Sequence, residues 1–342
     1  MANGIKALRQ IQMSREASAS QGSPTTDFTV WRGTGTLEDL RETTFPEEDI
    51  GKFGGVDRTY SPKTGGQLVL DETPATFEQL PHIFDAGIAN ATPTTDTSSA
   101  FIRTYNFPIE STDVKESTDL QTYSFKAGDN NEVEKCGFGH VSEFTLSGAA
   151  AEALMITATF DTREVSTDGD GFATVTIPDV EEILFSKGKL FIDAVGGVLG
   201  ATQVTKTLLA AELKVTTGWK GIDTGDGRVD FSFIKQTQPE ITLDVTFEHN
   251  GSASAEKSAW RAGTARKLQL LFEGSALATT DAGATYDVKS LVVNLAGKWE
   301  KFEKLDEMDG NDIVKATFRS RYNSTAALFA QFIIANEVET MP

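Results

Sequence analysis

Apolar and polar residues alternate with period two along most of this chain, while helical spacing is confined to two short stretches. Alternation, together with β-branched and aromatic residues, predicts strands at 28–40, 68–71, 101–107, 122–125, 142–148 and 154–163 in the first half. The first of these breaks at Gly33 and Gly35, as a bent strand does. In the second half the same signal falls at 183–185, 190–192, 208–219, 228–233, 241–247, 267–272, 288–295, 313–321 and 332–336. One helix is expected to start at Thr73-Pro74, to carry Phe77, Leu80, Ile83 and Phe84 on one face, to kink at Pro81 and to close at Gly87. The other spans 254–262, with Ala255, Ala259 and Ala262 at helical spacing.

The order of these elements occurs twice. Leu70-Asp71, a helix ending in Ala86-Gly87, Phe101 to Phe107, Ser142 to Gly148 and Leu154 to Phe160 form the first pass. Leu243-Asp244, a helix ending in Ala262-Gly263, Lys267 to Phe272, Ser290 to Gly297 and Ile313 to Phe318 form the second. Such a repeat implies tandem β-rich units related by pseudo-symmetry. Successive strands lack intervening helices, so a doubly wound α/β fold is excluded and a mainly β fold is expected. The division reads as an N-terminal arm at 1–26 lying outside the core, a first domain at 27–165, a linker at 166–181 and a second domain at 182–342. Residues 41–66 form a loop too long for a compact connection, which marks it as functional or partner-ordered.

Composition changes this picture only in part. A formal charge of -19 argues against a nucleic-acid reader, because phosphate contacts need a basic face. Solubility alone accounts for such acidity equally well. No apolar run is long enough for a bilayer span, and the first residues lack the apolar core of a signal peptide. Cys136 is the only cysteine, which excludes an intrachain disulfide and a thiolate zinc site.

Catalytic and cofactor signatures fail one after another. His82, His140 and His249 have no carboxylate or histidine at metal-ligand spacing. Asp168-Gly169-Asp170-Gly171 begins like a calcium loop, but Ile177 occupies the glutamate position. Gly33-Thr34-Gly35 lacks the third glycine and the lysine of a phosphate loop, and Ser147-Gly148 lacks a nucleophile-elbow frame. Trp31, Trp219, Trp260 and Trp299 read either as a sugar-stacking platform or, for Trp31, Trp219 and Trp299, as rim and interface residues. No metal, cofactor or catalytic residue is expected.

Several words of the chain resemble the major tail tube proteins of long-tailed bacteriophages, in particular those with a duplicated tube domain. They are Ile5-Lys6-Ala7-Leu8-Arg9, Trp31-Arg32-Gly33, Phe77-Glu78-Gln79-Leu80, Ala86-Gly87-Ile88, the stretches 141–148 and 154–160, and Lys189-Leu190-Phe191-Ile192-Asp193. The resemblance implies two tandem β-sandwich or partial-barrel tube domains, each with one short flanking helix. It implies a structural virion protein of the tail, assembled in the host cytoplasm into stacked rings around a lumen through which DNA passes without specific binding. With two domains per chain, a pseudo-hexameric ring would need three chains. Tape measure, tail terminator and baseplate or tip proteins are the implied partners. Glu38, Asp39 and Glu42 are the expected lumen-facing acids, and Ile5, Leu8, Ile11, Phe45, Phe53 and Tyr60 the expected contacts between rings. Deletion of residues 1–21 is accordingly expected to leave a folded chain that no longer polymerises. A tandem carbohydrate-binding or adhesin-like β module is the alternative reading, and an enzyme is the third class.

Overall fold

A computed structural model describes residues 4–17, 27–97, 100–110, 112–278 and 284–342, so positions 1–3 and 18–26 of the expected arm lie outside the described residues. The strands of the first half are β1 (Gln10–Arg15), β2 (Thr29–Val30), β3 (Gly35–Asp39), β4 (Gly66–Pro74), β5 (Thr94–Thr97), β6 (Ala100–Asn106), β7 (Tyr123–Gly128), β8 (Val133–Ala149), β9 (Met155–Thr162) and β10 (Ser166–Thr167). Those of the second are β11 (Gly188–Ala194), β12 (Gln203–Val204), β13 (Leu208–Thr216), β14 (Trp219–Ile222), β15 (Phe233–Gln236), β16 (Glu240–Glu248), β17 (Arg266–Ala276), β18 (Val288–Met308), β19 (Asn311–Ser320) and β20 (Ala330–Asn336). Two short helices accompany them, α1 (Leu80–Gly87) and α2 (Gly251–Arg261). The fold is mainly β, with one large antiparallel sheet and a separate β14–β15 hairpin.

The pairing order occurs twice. In the first half β1 pairs with β2 and β7, β3 with β4, β4 with β9, β7 with β8, and β8 with β9 and β10. In the second half β11 pairs with β12 and β17, β13 with β16, β16 with β19, β17 with β18, and β18 with β19 and β20. The hairpin β5–β6 is an insertion after α1, and β14–β15 occupies the place that the long loop after β3 holds in the first half.

This topology corrects two of the expected equivalences. The stretch 101–107 lies in the inserted β6, so the counterpart of β17 is β7. The words at 142–148 and 290–297 fall on opposite halves of the long strands β8 and β18. β8 pairs with β7 and β10 up to Gly139 and with β9 and β13 beyond it. β18 pairs with β17 and β20 up to Gly297 and with β19 beyond it. One displacement along the chain relates Gly139 to Gly297, Phe160 to Phe318 and Arg163 to Arg321.

The halves are not separated by an open linker. β8 pairs with β13 and β6 with β20 across them, and one hydrophobic core runs through both. Its centre is an aromatic cluster in which Phe84 of α1 lies 5.4 Å from Phe144 and 5.1 Å from Phe332. Within the expected linker, β10 pairs with Glu134 and Lys135, and Asp168 is buried between Lys126 (2.6 Å) and Lys135 (3.2 Å). Burial alone would raise the Asp168 carboxyl; the two ammonium groups override it and hold it below its usual value.

The N-terminal arm is also corrected. Gln10–Arg15 is a strand between β2 and β7, with Ile11 and Met13 in the core and Gln12 tied to Ala173. Deleting residues 1–21 therefore removes a core strand, so loss of polymerisation in that variant would report misfolding. Among the described residues of the arm, 4–9 and Ala17 lie outside the core, with Ile5 and Leu8 half exposed.

Local chemistry explains the helices. Thr73 and Pro74 end β4, and α1 begins after Gln79, whose backbone N–H donates to Thr76 Oγ1. Pro81 sits in the first turn, where a missing N–H leaves no helical bond unmade, so it does not kink the helix. α2 is capped by Asn250, which accepts from Ser252 N and Ala253 N. Its buried face is Ala253, Glu256 and Ala259, one step from the alanine stripe expected, because Glu256 is drawn inward by Arg266 (3.1 Å) and Trp299 Nε1 (2.8 Å).

Fully buried α1 also carries two titratable groups with opposite behaviour. Burial, helped by Arg15 and Arg103, lowers His82 from 6.5 to about 3, and burial raises Asp85 from 3.8 to about 6 against the pull of Arg15. The neutral His82 contributes stability above pH 6.5 that is lost as pH falls toward 3. Asp85 contributes stability below pH 3.8 that is lost as pH rises through 6. Between these limits the folded chain holds its proton on Asp85 and the unfolded chain on His82, so the two slopes oppose each other. Relative to the unaltered chain, Asp85→Asn is expected to lose about 1.4 kcal/mol per pH unit on acidification between about pH 6 and 4. His82→Gln should gain by a similar slope, and urea midpoints across this range measure both. Parallel curves for all three chains would refute it.

Candidate functional site

Among the strand edges that the pairing order leaves open, two would be closed by a junction that the chain itself contains. β3 pairs only with β4, and the second half of β18 pairs only with β19 among the described residues. The counterparts of these open elements, β13 and the second half of β8, are paired with each other from Glu143↔Thr216 to Ala149↔Ala210. What joins the first half to the second is therefore unmade where the second half ends and the first begins.

The geometry of the open edges follows from strand alternation. Leu40 N donates to Gly65 O at 2.9 Å, so even-numbered residues of β3 turn their backbone groups toward β4. Leu37 and Asp39 turn theirs outward. In the completed junction the counterpart of Asp39 is Val215, which pairs with Phe144. The counterpart of Phe144 is Phe302, which pairs with Ala316 of β19 on its other side. Beside the β3 edge lies a groove of about 340 Å³ lined by Ile11, Leu37, Ala127 and Gly128.

The sheet β3-β4-β9-β8-β13-β16-β19-β18 covers the core with one face and leaves the other polar. Leu68, Ile156, Phe144, Leu213, Leu243 and Phe318 point inward. Carboxylates Glu38, Asp71, Glu143, Asp161, Glu212, Glu240, Asp244 and Glu303 alternate to the other face, where they outnumber Lys214, Lys301, Lys315 and Arg319. A recess of about 540 Å³ on this face is lined by Glu72, Glu152, Glu212, Asp244, Glu303 and Lys315. Several of these charges are locally paired, as Lys214 with Glu212 (2.9 Å) and Arg319 with Glu300 (2.6 Å), and these partners raise the pKa of both cations.

Of the sequence-derived acids, Glu38 shares this polar face, whereas Asp39 alternates to the face of Leu37 and pairs with Arg41. Glu42 lies beyond the strand, in the arm that follows. That arm, residues 40–65, is a two-stranded projection held by Glu42 N to Lys63 O and by reciprocal bonds between Thr44 and Tyr60. Phe45, Phe53 and Tyr60 are exposed on it, Phe53 completely. Ile5 and Leu8 are exposed near the N-terminus, but Ile11 is a core residue and is withdrawn as a contact between rings. Sequence reading missed Lys301 and Phe302 on the open β18 edge; a strand running past its partner exchange at Gly297 was the signal.

The chemistry of the remaining candidates is structural. Trp31, Trp219 and Trp299 are buried, and Trp260 rests on Phe302 at 5.7 Å, so no flat aromatic platform faces solvent. His82 contacts Tyr123 and His140 stacks edge-on to Phe231 inside the protein. Burial pushes the Cys136 thiol up to about 12, which leaves it unreactive. No cluster of metal-ligating side chains occurs among the described residues, and no helix among them is long and apolar enough to cross a membrane. No family model matches this chain, and no curated protein matches it.

Proposed function

We propose that the chain is a self-assembling structural subunit whose two β-rich repeats close with other copies into rings, the tube-forming arrangement implied by the resemblance to phage tail tube proteins. The observation that carries this reading is the β8–β13 junction, which has an unmade counterpart between β18 of one copy and β3 of the next. Exposed strand edges are an aggregation liability in a monomer, and pairing them head to tail around a ring removes it. Each repeat would then act as one tube domain, and three chains would give a ring with six.

Transferring the pairs Leu213↔Leu146 and Thr216↔Glu143 to the new junction places Leu37 opposite Leu305 and Leu40 opposite Lys301. The first pair is apolar, which supports the register by packing, and the second sets an apolar side chain beside a cation. The acidic face of the sheet would line the lumen, where carboxylates repel passing DNA and prevent adhesive contacts. As a virion tail component the protein would meet tape measure, terminator and baseplate or tip proteins at the tube and its ends.

Electron microscopy of the purified protein tests the assembly: rings or tubes with three chains per ring are expected, and rings of six whole chains would overturn the stoichiometry. The register is tested by charge placement. Leu40→Glu is expected to strengthen assembly several-fold by pairing with Lys301, and adding Lys301→Glu to reverse the gain, as judged by sedimentation velocity; equal assembly of the single and double variants would reject this pairing. The tandem carbohydrate-binding reading has no comparable observation, because Trp31, Trp219 and Trp299 are buried and Trp260 packs on Phe302.

A further inference from the structure

Within the chain, the β14–β15 hairpin that follows β13 docks on the first half. Trp219, Phe231 and Ile234 form a small separate core with Leu120 and Phe138. Arg163 lies 4.1 Å over the Phe138 ring and donates to Phe231 O, and Phe231 meets His140 edge-on at 5.6 Å. Thr217 Oγ1 fixes the hairpin's root by donating to Val141 O at 2.7 Å.

The displacement that carries Gly139 to Gly297 carries His140 to Lys298, Val141 to Trp299 and Arg163 to Arg321. These second-half residues line a pocket of about 310 Å³ completed by Ala265 and Tyr322. No residue of 40–65 or of β14–β15 lines it. The place that the hairpin fills in the first half is thus open in the second. Tyr322 is half exposed there, and neither Lys298 nor Arg321 forms an ion pair among the described residues.

We propose that this pocket receives the arm 40–65 of a neighbouring copy. The arm stands after β3 as the hairpin stands after β13, so laying the β3 edge on β18 brings the arm's root to Glu300, beside the pocket. It offers exposed aromatic side chains in Phe45 and Tyr60 to meet Tyr322, and carboxylates in Glu42 and Glu47 for Lys298 and Arg321, since the pocket's own Glu300 is paired with Arg319. The arm therefore acts sideways within a ring, in place of the contact between rings expected from sequence. This inference rests on the head-to-tail reading and adds the arm's binding site to it.

The test uses two full-length variants, Tyr60→Cys and Tyr322→Cys, both at exposed positions, with buried Cys136 as the unreactive background. Co-expressed and treated with a short bis-maleimide, the two variants are expected to give a covalent dimer on denaturing gels, and neither variant alone should. Rings or tubes in the micrographs without this mixture-dependent dimer overturn the docking and leave the ring reading standing. Neither rings nor dimer overturns both. A dimer formed equally by a single variant overturns the docking as well, since that contact joins like positions. Phe45→Ala combined with Tyr60→Ala is expected to weaken assembly at least tenfold with an unchanged monomer unfolding midpoint; unchanged assembly counts against the site.

Discussion

Asp39→Pro is expected to leave the chain folded and monomeric while preventing ring closure. Its N–H points to the open edge of β3, so proline there removes no backbone bond within the chain and only the exposed carboxylate's contacts with Arg41. In the ring it would remove the bond to Phe302 O and press its own ring against the incoming strand. One net backbone hydrogen bond contributes about 1 kcal/mol, so three junctions lose about 3 kcal/mol, a factor on the order of 100 in assembly. Glu38→Pro is the internal control. That N–H faces β4, so the substitution should instead lower the unfolding midpoint of the monomer. Circular dichroism melts and sedimentation velocity separate the two effects, and tubes of normal yield from Asp39→Pro would remove the open edge from the assembly.

The strand content and the twofold order were legible because alternation of apolar residues survives any choice of partner. Leu68 and Leu70, Ile156 and Phe160, and Leu243 and Phe247 all face the core as their spacing requires. Equivalence between the repeats was harder to read. Period-two words are nearly alike in every strand, so Ser142 to Gly148 matched Ser290 to Gly297 although the two stretches pair with different neighbours. An inserted hairpin, β5–β6, moved the apparent counterpart of β17 one strand too early. Core membership of Gln10–Arg15 was hidden for a similar reason, since buried Gln12 and Ser14 break the apolar signature while their hydrogen bonds are met inside. The candidate interface was legible only as an unusual loop; its two edges are defined by what does not pair, which no single strand's sequence records.

Gly297→Ala should be among the most damaging single substitutions in the chain, and its counterpart Gly139→Ala a milder one. At Gly297 β18 exchanges neighbours, paired with Arg266 of β17 on one side and Ser320 of β19 on the other. A Cβ there would stand 2.1 Å from the Arg319 carbonyl oxygen and 3.0 Å from Ser320 Cα. Both are backbone atoms held in an antiparallel ladder, so relief requires β18 and β19 to separate where Trp299 packs on Phe318. At Gly139 the nearest atom is Phe125 Cε2 at 2.4 Å, a side chain that can turn, although the Tyr123 carbonyl follows at 3.0 Å. Overpacking against immobile groups costs about 3 kcal/mol, and against a movable ring about 1 kcal/mol. Urea unfolding of the monomer, made assembly-silent with Asp39→Pro, should show Gly297→Ala with the lower midpoint. The opposite order would mean that the strand exchange in β18 is the softer of the two, and that the repeat's second half adapts where its first does not.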